Sequence, residues 1–231
     1  MSIAALVLAG GASRRMGRDK LSLPRNGGEA AGAGGDAGVS AAAGSEGAAT
    51  ETVLSHVVKV AAEVADVVYL VIPPETVPGP NLEVIQAARV PVITHHDKAS
   101  YRGPLQALNG VWPFLESHDA IFVVPGDLPG LTPRVLRTCN LRLDVLPPEY
   151  DGAAVVRGGR WQPLLACYKP VAGQAWRMAE QGETRILRAL DSLKIAAVDE
   201  QLQAWPAWWT RPIHTPEDYE AWLQWQHSSG A

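Results

Sequence analysis

The residues best equipped for chemistry fall in three short stretches. The first runs Ala9-Gly10-Gly11-Ala12-Ser13-Arg14-Arg15-Met16-Gly17-Arg18-Asp19-Lys20. It brings paired glycines, a hydroxyl and the cations Arg14, Arg15, Arg18 and Lys20 into one span. Glycine lets a chain turn where a Cβ would clash and lets backbone N–H groups come close to a ligand. Successive N–H groups in such a turn form a concavity for anions. Ringed by cations, that concavity suits a polyphosphate. The second stretch is Pro125-Gly126-Asp127-Leu128-Pro129, a lone carboxylate after an apolar run. Mg²⁺ is usually held by one or two protein carboxylates plus phosphates and waters, so one Asp suffices. An Asp in such a turn serves equally well as a cap for a helix starting near Thr132. The third stretch is His95-His96-Asp97. Zinc needs three or four ligands, and no further His or Cys is suitably placed, so the expectation there is not a metal.

Each stretch follows an apolar run of strand length. Ile3–Leu8, Val67–Ile72, Val90–Thr94 and Ala120–Val124 are continuous and rich in β-branched residues, as buried strands are. Between them lie helical signals. Val53, Leu54, Val57, Val58, Ala61 and Ala65 share one face. Gly103-Pro104 opens a helix through Leu105, Leu108 and Val111, and Thr132-Pro133 opens another. Strand and helix in alternation mean crossover units and a mostly parallel sheet covered on both faces. Ligands of such sheets sit at the carboxyl ends of the strands, where all three stretches fall.

The second half is less regular. Gly152–Val156 and Trp161–Tyr168 read as strands joined by a turn at Arg157-Gly158-Gly159-Arg160. Val171–Gln181 and Thr184–Leu193 read as helices, the latter capped by Thr184, and Ile195–Val198 reads as a short strand. Thr215-Pro216-Glu217-Asp218 begins the last helix. Trp205, Trp208, Trp209, Trp222 and Trp225 crowd the C-terminal region, where packing of the last helix against the sheet, or a dimer surface, outweighs a ligand-stacking surface.

At 231 residues, 47% hydrophobic and 19% charged, the chain suits one domain over 1–231. Residues 25–50 are dominated by Gly, Ala, Ser and Glu without apolar period, as in a disordered insertion. A net charge of -4 gives no basic excess for nucleic acid. Cys139 and Cys167 offer no metal spacing and no disulfide framework. No run reaches the ~20 apolar residues of a membrane span, and no basic region precedes the first apolar run, so a cytoplasmic protein is expected.

The first stretch is neither a P-loop, since Gly17 is followed by Arg18, nor a Gly-x-Gly-x-x-Gly fingerprint. The form Leu8-Ala9-Gly10-Gly11-x-Ser13-x-Arg15-Met16-Gly17-x-Asp19-Lys20 is similar to the signature of nucleotidyltransferases. It most resembles the molybdenum cofactor guanylyltransferases. The resemblance covers most of the chain outside 25–50 and implies a three-layer, Rossmann-like α/β sandwich. It implies transfer of GMP from GTP to the phosphate of Mo-molybdopterin, with Mg²⁺ as cofactor and pyrophosphate released. Leu8, Ala9, Gly10, Gly11, Ser13 and Lys20 would then surround the nucleotide, with Arg15 and Lys20 on developing charge and Asp127 on Mg²⁺. Counting back from Gly103-Pro104-Leu105, the family's nucleotide-contacting Asp falls on His96 or, with a one-residue slip, on Asp97. Asp97 is assigned because a carboxylate can accept from guanine N–H groups. Gln162–Tyr168 resembles a strand that follows the metal site.

Two departures bear on base and acceptor. Pro212 and His214 replace asparagines of the family's Asn-x-Asn-Thr-Pro-Glu-Asp segment, and an Asn after the second strand is replaced by Ile72 or Pro73. Implied partners are GTP and Mo-molybdopterin, with molybdenum cofactor biosynthesis proteins and apo-molybdoenzymes. The rival readings are a cytidylyltransferase acting on molybdopterin or on a sugar or isoprenoid phosphate, and a non-catalytic adapter that delivers cofactor.

Overall fold

The computed structural model describes residues 1–9, 20–27, 50–73, 89–97 and 103–229. Gly10, Gly11, Ser13 and Arg15, and residues 28–49 of the expected insertion, lie outside the described residues. A seven-stranded sheet in the order β3-β2-β1-β4-β6-β5-β7 forms the middle layer. Its strands are β1 (Ile3–Leu8), β2 (Val67–Ile72), β3 (Val92–His96), β4 (Ala120–Pro125), β5 (Gly152–Arg157), β6 (Arg160–Tyr168) and β7 (Ile195–Asp199). β1 runs parallel to β2 and β4, β2 to β3, and β5 to β7, while β6 is antiparallel to both neighbours. The sheet is mostly parallel, as the alternating pattern predicts.

β1 lies between β2 and β4 and is buried on both faces, so its run is apolar without alternation. Ala5 and Val7 point to one face, where α1 (Val53–Ala62) supplies Val57, Val58 and Ala61 and a later helix (Pro133–Asp144) supplies Val135, Leu136 and Cys139. Ala4, Leu6 and Leu8 point to the other, against α2 (Pro104–Val111) through Leu105 and Leu108, and against Trp112 and Trp176. The Pro133–Asp144 helix is α3. α1 starts cleanly because Thr52 and Ser55 form a reciprocal capping box.

Differences from expectation follow tertiary contacts. β3 lies two residues later than its apolar run, because its register with β2 pairs Val68 with Val92 and Ile72 with His96. As an edge strand it is more exposed than the others, so packing sets it less strongly than the ladder does. The Val171–Gln181 helix is broken into a 3₁₀ turn, α4 (Gly173–Trp176) and a second 3₁₀ turn (Arg177–Gln181). It bends around Trp112: any Cβ on Gly173 would collide with that indole, and Trp176 packs on it edge-to-face with ring centroids 5.6 Å apart. α5 is only Ile186–Leu190, and Thr184 is not its cap; the Glu183 carboxylate instead accepts from the Thr184 and Arg185 N–H groups. The hairpin turn agrees with its Gly-Gly sequence, both glycines having positive φ (53° and 73°).

α6 (Pro216–Ser229) starts where Thr215 accepts from the Asp218 N–H while Asp218 accepts from the Thr215 N–H. It packs Tyr219 and Trp222 with Trp208, Ile213, Leu23 and Val53 into a third cluster. Burial of Trp205, Trp208 and Trp222 agrees with the packing reading of the C-terminal tryptophans.

Candidate active site

The site begins where β1 and β4 end side by side. Leu8 pairs with Pro125, and the Leu8 carbonyl accepts from the Gly126 N–H at 2.9 Å. Ala9 donates its N–H to the Val71 carbonyl at 2.8 Å, so Leu8 and Ala9 form a buried floor at the entrance to the glycine loop. Gly126 keeps this turn close: a Cβ there would stand a tight 3.1 Å from both the Leu8 carbonyl oxygen and Leu54.

The turn delivers Asp127, only 8% exposed. Its Oδ2 is 2.5 Å from Nζ of Lys20, which stands on a 3₁₀ turn, Lys20–Ser22. His214 Nδ1 stands 3.7 Å from the same oxygen. Asp127 Oδ1 is buried and has no hydrogen-bond partner among the described residues. A buried charged oxygen left unpaired is costly unless something outside the protein meets it. The Asp127 side chain does not cap α3. A buried carboxylate with one oxygen on a lysine and the other uncommitted fits a hard divalent cation such as Mg²⁺. Among the described residues no three His, Cys, Asp or Glu side chains cluster as a metal-binding group, so a cation here would need ligands from outside these side chains besides Asp127.

Sequence reasoning missed the clamp behind this pair. Arg25 donates from Nε to the Pro129 carbonyl (2.8 Å) and from Nη1 to Glu51 (3.2 Å), and its guanidinium lies 5.7 Å from the centroid of the Trp222 ring. Trp222 in turn donates to the Arg25 carbonyl, and Tyr219 to that of Pro24. The segment carrying Lys20 and the turn carrying Asp127 are thus tied to one another and to α6. Arg25 sits at the edge of a low-complexity stretch, where no sequence pattern marks it. His56 on α1 lies beside the clamp, its Nε2 2.9 Å from the Leu131 carbonyl. Burial, reinforced by the Arg25 charge, lowers its pKa to about 4 against the opposing pull of the Leu131 carbonyl and Glu51.

The segment in which Pro212 and His214 replace asparagines does reach the site, because the Ile213 N–H donates to the Asp127 carbonyl. With Asp127 and part of β6 it encloses a cavity of about 370 Å³, into which Trp161, Pro163 and Leu187 also face. Asp97 stands elsewhere. It follows β3, its N–H donates to the Ile72 carbonyl, and it borders a second cavity of about 480 Å³ with His96, Gln106 and Asn109. β3 and β4 are three strand spacings apart, about 14 Å. The structure therefore brings Lys20, Asp127 and His214 together and sets Asp97 apart along the same carboxyl edge.

Comparisons with known proteins agree with this architecture. Residues 5–194 match the model of the MobA-like NTP transferase domain. A probable molybdenum cofactor guanylyltransferase from Synechococcus elongatus is 27% identical over 222 residues, covering 96% of this chain and 98% of that protein. The crystal structure of molybdopterin-guanine dinucleotide biosynthesis protein A from Archaeoglobus fulgidus superposes with a TM-score of 0.66 at 18% identity, covering 97% of this chain and 99% of the other. A 4-diphosphocytidyl-2C-methyl-D-erythritol synthase from Anaerococcus prevotii reaches the same TM-score at 10% identity, with 98% and 96% covered. These two likenesses show the fold alone. Among the described residues no helix is long and apolar enough to cross a membrane.

Proposed function

The chain belongs to the MobA-like NTP transferase family and is an enzyme of the nucleotidyltransferase type, and on that premise we propose that it transfers GMP from GTP to the terminal phosphate of Mo-molybdopterin. A phosphate oxygen of the acceptor forms a bond to the α-phosphorus, the bond from that phosphorus to the bridging oxygen breaks, and the electron pair leaves on pyrophosphate. The acceptor oxygen is already ionised at neutral pH, so no protein base is needed. Positioning and charge neutralisation then carry the catalysis.

The observation that supports this most is the Lys20–Asp127 pair with its uncommitted carboxylate oxygen at the ends of β1 and β4. A non-catalytic adapter has no use for it. Asp127 would hold Mg²⁺, which would supply positive charge against that of the triphosphate. Lys20 orients the Asp127 carboxylate and offers its charge to the phosphates. Gly10, Gly11, Ser13 and Arg15 are assigned to the phosphates on the sequence signature, and Leu8 and Ala9 support them from below. Asp97 is assigned to the guanine. Guanine as base and molybdopterin as acceptor rest on the name of the Synechococcus relative and on the signature, not on geometry.

The test is a thermal-shift panel of GTP, CTP, ATP and UTP with Mg²⁺, since a ligand that binds only the folded state raises the melting temperature. GTP is expected to give the largest shift. A larger shift with CTP would overturn the guanylyl assignment and leave the nucleotidyltransferase standing.

A further inference from the structure

Resting on that nucleotidyl-transfer reading, we propose that His214 is a second protein ligand of the cation at Asp127. It brings a nitrogen donor to a site whose other protein ligand is a carboxylate. The site is thereby turned toward a borderline transition-metal ion such as Co²⁺ and away from Mg²⁺, a bias that an asparagine in the same place does not give.

His214 stands where the family's segment has an asparagine, and it is not carried on a loose loop. The Ile213 N–H donates to the Asp127 carbonyl at 3.0 Å, and the His214 N–H donates to Asp218 Oδ2, also at 3.0 Å. Asp218 in turn accepts from Arg211 and from the Thr215 N–H at the start of α6. The backbone at His214 is therefore fixed on one side to the turn that carries Asp127 and on the other to the last helix. The ring lines the cavity that Asp127 also borders. Its Nδ1 stands 3.7 Å from Asp127 Oδ2, and among the described residues the ring makes no hydrogen bond.

That distance is too long for a hydrogen bond, but it suits two ligands of one ion. Bonds of about 2.1 Å set two ligand atoms about 3.0 Å apart at a right angle and about 3.6 Å apart at 120°. Asp127 Oδ1 is buried without a hydrogen-bond partner among the described residues, so the carboxylate has a further oxygen to offer. Mg²⁺ is a hard ion that keeps to oxygen donors. Imidazole nitrogen suits the later divalent ions, and the affinity of such a site climbs toward Co²⁺ and beyond. An asparagine side chain would offer a neutral oxygen, which favours neither class. Two protein ligands do not complete a coordination sphere, and no third His, Cys, Asp or Glu joins them among the described residues. The remaining ligands therefore come from outside these side chains.

The experiment uses the full-length protein with GTP and takes Mn²⁺ as a spectroscopic probe, because pulsed EPR detects nitrogen bound directly to that ion. Isotopic labelling of histidine nitrogen separates an imidazole from the guanine. Wild type is expected to show one histidine nitrogen on Mn²⁺, and His214→Asn to show none. Co²⁺ and Mg²⁺ are then titrated separately. His214→Asn should weaken Co²⁺ binding about tenfold or more and Mg²⁺ binding by no more than about threefold, so that the ratio of the two affinities falls. His214→Ala should lose Co²⁺ affinity to at least the same degree. Without ligands both variants should melt with wild type, because the ring is 55% exposed and carries no hydrogen bond. A wild-type spectrum without histidine nitrogen overturns the proposal, and so does an unchanged Co²⁺ to Mg²⁺ ratio in His214→Asn. Either result, with the GTP thermal shift intact, leaves the nucleotidyl-transfer reading standing. If GTP gives no shift with any of these ions, that reading falls and takes this one with it.

Discussion

The two ends of the sheet's carboxyl edge are built differently. Where β1 and β4 finish, Asp127 is buried, joined to Lys20 and locked from behind by Arg25, Pro129 and Trp222. Where β3 finishes, Asp97 is half-buried on an edge strand and held by one backbone hydrogen bond to Ile72. A fixed, desolvated carboxylate is what charge stabilisation needs, because a preorganised group does not reorganise during reaction. A more yielding carboxylate suits recognition, where a partner must enter and leave. On the proposed function, the difference is what chemistry at the first end and selection at the second would call for.

The sharpest way to break this comparison is Asp127→Asn. Transfer, measured as pyrophosphate release with GTP and the molybdenum-loaded acceptor, is expected to fall by roughly two to three orders of magnitude, the scale of losing one charge-stabilising group. Asp127 is ion-paired with Lys20, so the substitution removes the charge that faces an ammonium only 16% exposed. Melting should remain cooperative but shift down by several degrees, a loss on the order of 2 kcal/mol. Activity within a few-fold of wild type would remove Asp127 from the site.

His56 gives a second asymmetry, since it lies only at the Asp127 end. Its folded pKa of about 4 is below the ordinary 6.5. The unfolded chain therefore takes up a proton as pH falls through 6.5, whereas the folded chain waits until about 4. Stability present above pH 6.5 is lost across that window, by up to about 3 kcal/mol for a shift of this size. Melting temperatures of wild type and His56→Gln, compared from pH 7 to pH 4, should converge as pH falls, because Gln can still donate to Leu131 without titrating. Parallel curves would show that His56 titrates normally.

At the other end, Asp97→Asn should act on affinity. Losing one charge-assisted hydrogen bond to a base is worth about tenfold. KM for GTP should rise by about that factor and the preference over CTP should narrow, with kcat little changed. A fall in kcat comparable to that of Asp127→Asn would erase the distinction between the ends.

How far the site was legible follows the same divide. β1, β2 and β4 are buried on both faces, so composition alone marks them, and the Gly126-Asp127 turn falls where the apolar run stops. Lys20 could be singled out by the glycine loop before it, but its pairing with a residue 107 positions away could not. Pattern failed where tertiary contact overrules it. β3 takes its register from β2, Gly173 yields to Trp112, and α5 shrinks to a turn and a half under a Glu183 cap. Arg25 carries no local signal, since it sits beside a glycine-rich stretch.

The smallest effect is expected from residues 28–48, which bear on the comparison because they interrupt the chain just behind the Asp127 end. Their composition offers little apolar surface to bury. The flanks are already joined without them. Pro24 and Thr52 form an antiparallel bridge, the Arg25 N–H donates to the Glu51 carbonyl at 2.8 Å, and the Val53 N–H donates to that of Leu23 at 3.0 Å. Removing 28–48 takes out 21 of the 27 residues between Pro24 and Thr52. That is about two halvings of a loop, a gain near 1 kcal/mol if the short connection closes without strain. The deletion variant is therefore expected to fold cooperatively, to melt within a few degrees of wild type, and to give the same GTP shift. If it fails to fold, the segment is structural. If it folds but loses the GTP shift, the segment serves the Lys20–Asp127 end directly, and the division between the two ends must be redrawn to include it.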